Sequence, residues 1–280
     1  MKRLPIGFLV LAIWMVACNA EAPSVIGAYR ITRTVSWNGV SVPVVIDKPV
    51  SDVVDVLVVY HGTVLFDDKV MEAANTTLDN FKRLLSRQDM MIVSVAYPEE
   101  NLLMGDNVRE SEAALLWLKN SASTELGVTV GKIFLGGHSQ GGYIATILNT
   151  RHQTHGVIAN GPGPFNLVYR CGLEESGQVQ ASLPCNALRL AYGTTTENPQ
   201  AYFARSLLSF TSGFKSDILF VQGLNDSPIQ MYSWPVFKQQ VATCTDCARV
   251  EFLEVSGFGH TALFDSPQAK AVFNEFIDSR

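Results

Sequence analysis

The sequence predicts an α/β protein, a mainly parallel sheet flanked by helices, on three observations. Short and almost wholly apolar runs alternate with helical patterns along most of the chain, the mark of parallel strands joined by crossover helices. One such run, residues 132–136, leads into Gly137-His138-Ser139-Gln140-Gly141 and then into a helical pattern. A serine between two glycines at such a junction reads as a nucleophile elbow. The chain has 280 residues, 47% of them hydrophobic, enough to bury the core of one large domain.

The first 20 residues read as an export signal. Lys2 and Arg3 precede an apolar run over residues 4–17, too short for a comfortable membrane span. The run ends in Met15-Val16-Ala17-Cys18, which resembles the lipobox of bacterial lipoproteins, with Met15 where leucine is usual. That resemblance implies lipidation at Cys18 and membrane attachment through it. The alternative is ordinary cleavage after Ala20. Both readings predict an exported protein: periplasmic, anchored to the outer membrane, or secreted.

The folded domain is expected over residues 27–280. Residues 27–49 alternate in polarity around Asn38-Gly39, a dipeptide suited to a tight hairpin, so two antiparallel edge strands are expected. Residues 53–60, VVDVLVVY, are nearly all apolar, as in a strand covered on both faces, and run into His61-Gly62-Thr63. Met71, Leu78, Phe81, Leu84 and Leu85 fall at helical spacing in a helix over residues 69–88. A strand over 90–96, stopped by Pro98, and a helix over 108–119 follow.

After the elbow and its helix comes a short buried strand over residues 156–160. The alternation then breaks over residues 162–215, which hold Gly163-Pro164, two cysteines and aromatics such as Phe165, Tyr169 and Tyr202. This is too long for a simple loop and predicts a small helical, lid-like insertion. Most of its aromatics are expected to pack that insertion's own core. Alternation resumes with a strand over 217–222, a helix over 234–242, a strand over 249–255 and a closing helix over 267–277. There is no internal repeat.

A net charge of −5, with no basic stripe, speaks against a nucleic-acid partner. Of the 5 cysteines, Cys171, Cys185, Cys244 and Cys247 remain once Cys18 is set aside. In an oxidising compartment they suggest two disulfides with three pairings, of which Cys171–Cys185 with Cys244–Cys247 is the simplest. Cys244-Thr245-Asp246-Cys247 also has the spacing of a redox pair or half a zinc site, but with no companion C-x-x-C or spaced histidine pair a structural disulfide is expected and a metal site is not.

A serine hydroxyl is a poor nucleophile until a base takes its proton, and that base needs a third group to hold its tautomer. In this architecture the order is serine, acid, histidine. Three histidines follow Ser139. His152 and His155 fall at the end of the elbow helix, where surface or capping roles are expected. His260, in Gly257-Phe258-Gly259-His260, lies just past the last strand and is the candidate base. Asp226 follows the strand over 217–222 and falls at the same carboxyl edge of the sheet, where open α/β sheets bind ligands. Asp217 and Asp246 begin strands at the opposite edge, and Asp265 comes after the histidine. The oxyanion donors are assigned to the backbone N–H groups of Gln140 and Thr63, with His61 buttressing that loop.

This order, HG after an early strand, GHSQG, Asp226 and then His260, resembles the α/β-hydrolase family over residues 53–280. GHSQGG with Asn225-Asp226 and GFGH is most similar to its dienelactone-hydrolase and prolyl-oligopeptidase-like branch, without the propeller domain of the true oligopeptidases. The resemblance implies an eight-stranded, mostly parallel sheet, hydrolysis without a cofactor, and a lid over residues 162–215. The expected activity is hydrolysis of small carboxylic esters. A short-peptide hydrolase using the same residues, and a non-catalytic binder on this scaffold, are the alternatives.

Overall fold

A computed structural model describes residues 27–280; the predicted signal segment and Cys18 lie outside the described residues. The chain forms one eight-stranded sheet in the order β1-β2-β4-β3-β5-β6-β7-β8. Strands β1 (Tyr29–Trp37) and β2 (Val40–Lys48) form the expected hairpin, closed by Asn38 and Gly39, both at positive φ. The β2–β4 pairing is antiparallel, and every pairing from there to β8 is parallel. The parallel strands β3 (Val53–Tyr60), β4 (Met91–Val95), β5 (Thr129–His138), β6 (Gly156–Asn160) and β7 (Ile218–Gly223) form the buried centre, with β8 (Val250–Val255) at the edge.

The apolar strand runs have the physical cause expected of them. Residues on both faces of β4, β6 and β7 are buried, because helices cover each side. On one face, α1 (Val70–Leu84) and α10 (Pro267–Asp278) pack Phe81, Phe273 and Phe276 against Leu57, Phe134 and Leu219. On the other, α2 (Val108–Asn120) and α4 (Gln140–Arg151) bury Trp117, Tyr143 and Ile144 with Val58 and Leu135.

Several boundaries differ from the sequence expectation. Helix α1 ends at Leu84, four residues early, because Leu85 adopts extended backbone. A short α3 (Ala122–Leu126) and α9 (Ala262–Asp265) are added. Helix α8 (Pro228–Ala242) begins six residues before the expected start. Ser227 caps it by accepting from Gln230 N–H, Pro228 sits in its first turn, and the internal Pro235 masks its continuity in the sequence.

Residues 162–215 form α5 (Leu167–Glu175), α6 (Leu183–Tyr192), α7 (Pro199–Phe203) and a 3-10 turn. Their starts are set by Asn166, Ser182 and Asn198, whose side chains accept backbone N–H groups of the first turn. Phe165, Leu188, Tyr202 and Leu207 are buried beneath these helices. Disulfides join Cys171 to Cys185, tying α5 to α6, and Cys244 to Cys247. Arg205 fastens the segment to the loop after β4 by donating to Met104 O at 2.6 Å and Asp106 Oδ1 at 2.7 Å.

Candidate active site

The elbow is built by close backbone approach. A Cβ on Gly137 would overlap the carbonyl of Gly141, and one on Gly141 would overlap the carbonyl of Tyr60. Only glycine fits at either position. Between them Ser139 has φ 58° and ψ −120°, a conformation rarely adopted by a residue with a side chain. Its N–H donates to Asn160 O at 2.9 Å, which holds the turn against β6. Helix α4 starts at the next residue, so its positive end faces the site.

Asp226 and His260 meet across the loops after β7 and β8. His260 Nδ1 lies 2.7 Å from Asp226 Oδ2, and the carboxylate also accepts from Gln222 Nε2 at 3.0 Å and Ser227 N–H at 2.6 Å. Burial pushes the Asp226 carboxyl up, but the hydrogen bonds from His260 and Gln222, with the backbone one from Ser227, hold it below its ordinary value. The two loops can approach because Gly223 has no side chain to strike the backbone of Phe258 and Gly259. Asn225 N–H donates to Phe258 O at 2.8 Å and locks them together.

The loop after β3 closes the other side. Gly62 comes so near Ser139 that a Cβ there would sit 3.4 Å from the serine Cβ. Thr63 Oγ1 donates to Gln140 Oε1 at 2.8 Å, so the two residues assigned to the oxyanion hole are physically joined. Gln140 N–H belongs to the first turn of α4, where backbone donors have no partner within the helix.

His61 is a buttress, as expected. Its ring is buried and stacks on Tyr97 at 3.8 Å, and Nδ1 pairs with Gly62 O at 2.7 Å. Burial pushes its pKa down to about 4, so it is neutral at ordinary pH. Glu99 Oε2 accepts from Val64 N–H at 3.0 Å, holding the far side of this loop; burial pushes its carboxyl up to about 8.

Ser139, Asp226 and His260 line one cleft of about 690 Å³, roofed by residues of the 162–215 segment. Thr63, Leu65 and Met104 continue its wall into a neighbouring cavity of about 310 Å³. His152 and His155 lie elsewhere: His152 ends α4 and pairs with Glu112, and His155 Nδ1 accepts from Ile133 N–H. Cys244, Cys247 and Asp246 cluster, but both sulfurs are consumed by the disulfide.

Sequence reasoning passed over His138, Asn160 and Gln222. His138 occupies a variable place in the elbow motif, yet its ring packs 4.8 Å from that of His260. Burial, then the neighbouring His260, push its pKa down to about 4. Asn160 and Gln222 end apolar strands, and a single polar residue at such a place was the only signal.

A buried parallel sheet with a strained serine at a strand–helix turn, and a paired acid and histidine on later loops of the same edge, defines a hydrolase scaffold. A family model described as the alpha/beta hydrolase fold matches residues 57–206, and the chain belongs to that family. Solved structures agree in fold. An esterase from Rhizomucor miehei is 14% identical with a TM-score of 0.64, covering 90% of this chain and 82% of its own. Est1E from Butyrivibrio proteoclasticus is 13% identical at a TM-score of 0.62, covering 89% and 98%. An esterase from Pyrobaculum calidifontis is 16% identical at 0.63, covering 90% and 84%. No curated protein matches the sequence.

Proposed function

We propose that this protein is an exported serine hydrolase that cleaves carboxylic esters through an acyl-enzyme. The observation that carries the reading is the meeting of Asp226 and His260 in the cleft that Ser139 also lines. With Nδ1 turned to Asp226, the imidazole has Nε2 left to take the serine proton. Ser139 Oγ then attacks the ester carbonyl, and the N–H groups of Thr63 and Gln140 receive the negative oxygen. Collapse expels the alcohol, protonated by His260. A water activated by the same imidazole releases the acid and restores Ser139. Asp226 holds the ring and stabilises its charged form, and no cofactor is needed.

Ester rather than peptide cleavage is favoured by the similarity in fold to solved esterases. Cleavage or lipidation at the N-terminus, with Cys18 as the anchor, belongs to the same proposal, and the two disulfides suit an oxidising compartment. The test is hydrolysis of p-nitrophenyl esters of increasing acyl length, with Ser139→Ala as control. Serine-dependent turnover supports the reading, and turnover of peptides but of no ester overturns it.

A further inference from the structure

The cleft carries one fixed cation. Among the described residues that line it, Arg170 on α5 is the only basic side chain besides His260. Arg170 is held in an unusual way. Its Nε donates to Glu174 Oε1 at 2.6 Å, one helical turn on, while neither terminal nitrogen has a protein partner among the described residues. Glu174 stands behind it, with a side chain only 4% exposed, and does not line the cleft. Its carboxylate also accepts from Ser182 N–H at 2.8 Å and from Ser182 Oγ, at the start of α6. The Cys171–Cys185 disulfide then clamps α5 to α6 at the residue after Arg170.

The guanidinium stem is therefore fixed from behind through one nitrogen, and its two-nitrogen outer edge is left open. That edge is the planar pair of donors that matches a carboxylate with two parallel hydrogen bonds. The acid that orients the arginine meets it only at Nε and is also held by Ser182, so it does not close that edge. Glu174 offsets the charge of Arg170 from behind, but no acid meets the outer edge from the cleft side, where Asp226, the only acid among the described lining residues, is paired with His260.

Resting on the ester-hydrolase reading above, we infer that Arg170 selects esters that carry a free carboxylate, the monoesters of dicarboxylic acids or hydroxy acids acylated on the hydroxyl. Binding leaves the ester end over Ser139 and the carboxylate on the Arg170 fork. The Arg170 side chain is 36% exposed, so screening limits the preference to about tenfold to a hundredfold rather than more.

The experiment compares monoethyl esters of succinate, glutarate, adipate and suberate with ethyl esters of the monoacids of equal chain length, followed by pH-stat. A second pair, 4-acetoxybenzoate and its methyl ester, puts the charge on the alcohol side. The expected result is a kcat/KM ratio, charged over neutral, of about tenfold or more for at least one pair. That ratio collapses towards one in Arg170→Gln, recovers in part in Arg170→Lys, and falls in the unaltered protein as salt is raised. Ratios at or below one for every pair overturn the inference, as does an equal ratio in Arg170→Gln. Ser139-dependent turnover of neutral esters without any charge preference refutes Arg170 alone, whereas no turnover of either set refutes the ester reading and this inference with it.

Discussion

Asn160 Nδ2 donates to His138 Nδ1 at 2.9 Å, while Asn160 Oδ1 accepts from Leu263 N–H at 3.2 Å. Its backbone carbonyl takes the N–H of Ser139. One fully buried carboxamide thus joins the residue before Ser139 to the helix that follows His260. Replacing it with leucine strands two buried partners, each costing about 1–3 kcal/mol. Asn160→Leu is expected to lower the melting temperature by several degrees and to cut kcat more than it raises KM. Unchanged kcat in a folded Asn160→Leu protein would show that the carboxamide has no positioning role.

The strain at Ser139 makes a separate prediction. A residue with a side chain held at φ 58° and ψ −120° costs of order 1–3 kcal/mol, and glycine does not pay that penalty. Ser139→Ala and Ser139→Gly are both expected to lose at least about a thousandfold in turnover. Only Ser139→Gly is expected to melt above the unaltered protein, because alanine keeps the strained Cβ. Equal melting temperatures for the two variants would show that the turn stores no strain.

One buried group and two largely buried ones shape stability against pH. His61 and His138 hold pKa values of about 4 against the ordinary 6.5, so between those values the unfolded chain binds protons that the folded chain does not. Their contribution is complete above about pH 6.5 and is lost as pH falls, on the order of 3 kcal/mol each at the acid end. Glu99 acts in the opposite sense. Its carboxyl, raised from 4.5 to about 8, keeps its proton when folded, so stability declines as pH rises through that window. Denaturant titrations are expected to place maximum stability near pH 6.5. Glu99→Gln should flatten the decline on the alkaline side, and His61→Phe should flatten the acid side. A decline above neutrality that persists in Glu99→Gln would assign it to another group.

The parts of the site that sequence makes legible are those where sterics leave one choice. Gly137 and Gly141 are forced by the backbone overlap that any Cβ would create, so the elbow motif is readable without coordinates. Asp226 and His260 are readable because chain order and strand ends locate them at one edge. His138, Asn160 and Gln222 are not, because a histidine inside a motif or an amide at a strand end has many uses, and its partners lie far along the chain. Arg170 looks like any arginine four residues before a glutamate on a helix; only the fold shows which nitrogen is occupied. The same holds for α8, where Pro235 interrupts the apolar period although the helix continues through it.

The two disulfides are expected to differ in what their loss does. Cys171–Cys185 spans a sequence separation of 14 and Cys244–Cys247 one of 3. On the loop-entropy account the first contributes about 3 kcal/mol and the second about 2. The larger difference is in function. Cys171 and Cys185 are buried between α5 and α6, beside Arg170 and Ser182, whereas Cys244–Cys247 follows α8 at the end of the molecule away from the cleft. Replacing Cys171 and Cys185 together by alanine should loosen the roof of the cleft, lowering kcat/KM as well as the melting temperature. The double alanine variant at Cys244 and Cys247 should lose stability only. Comparable falls in kcat/KM for the two variants, measured below both melting temperatures, would mean that the α5–α6 staple does not hold the substrate-facing wall.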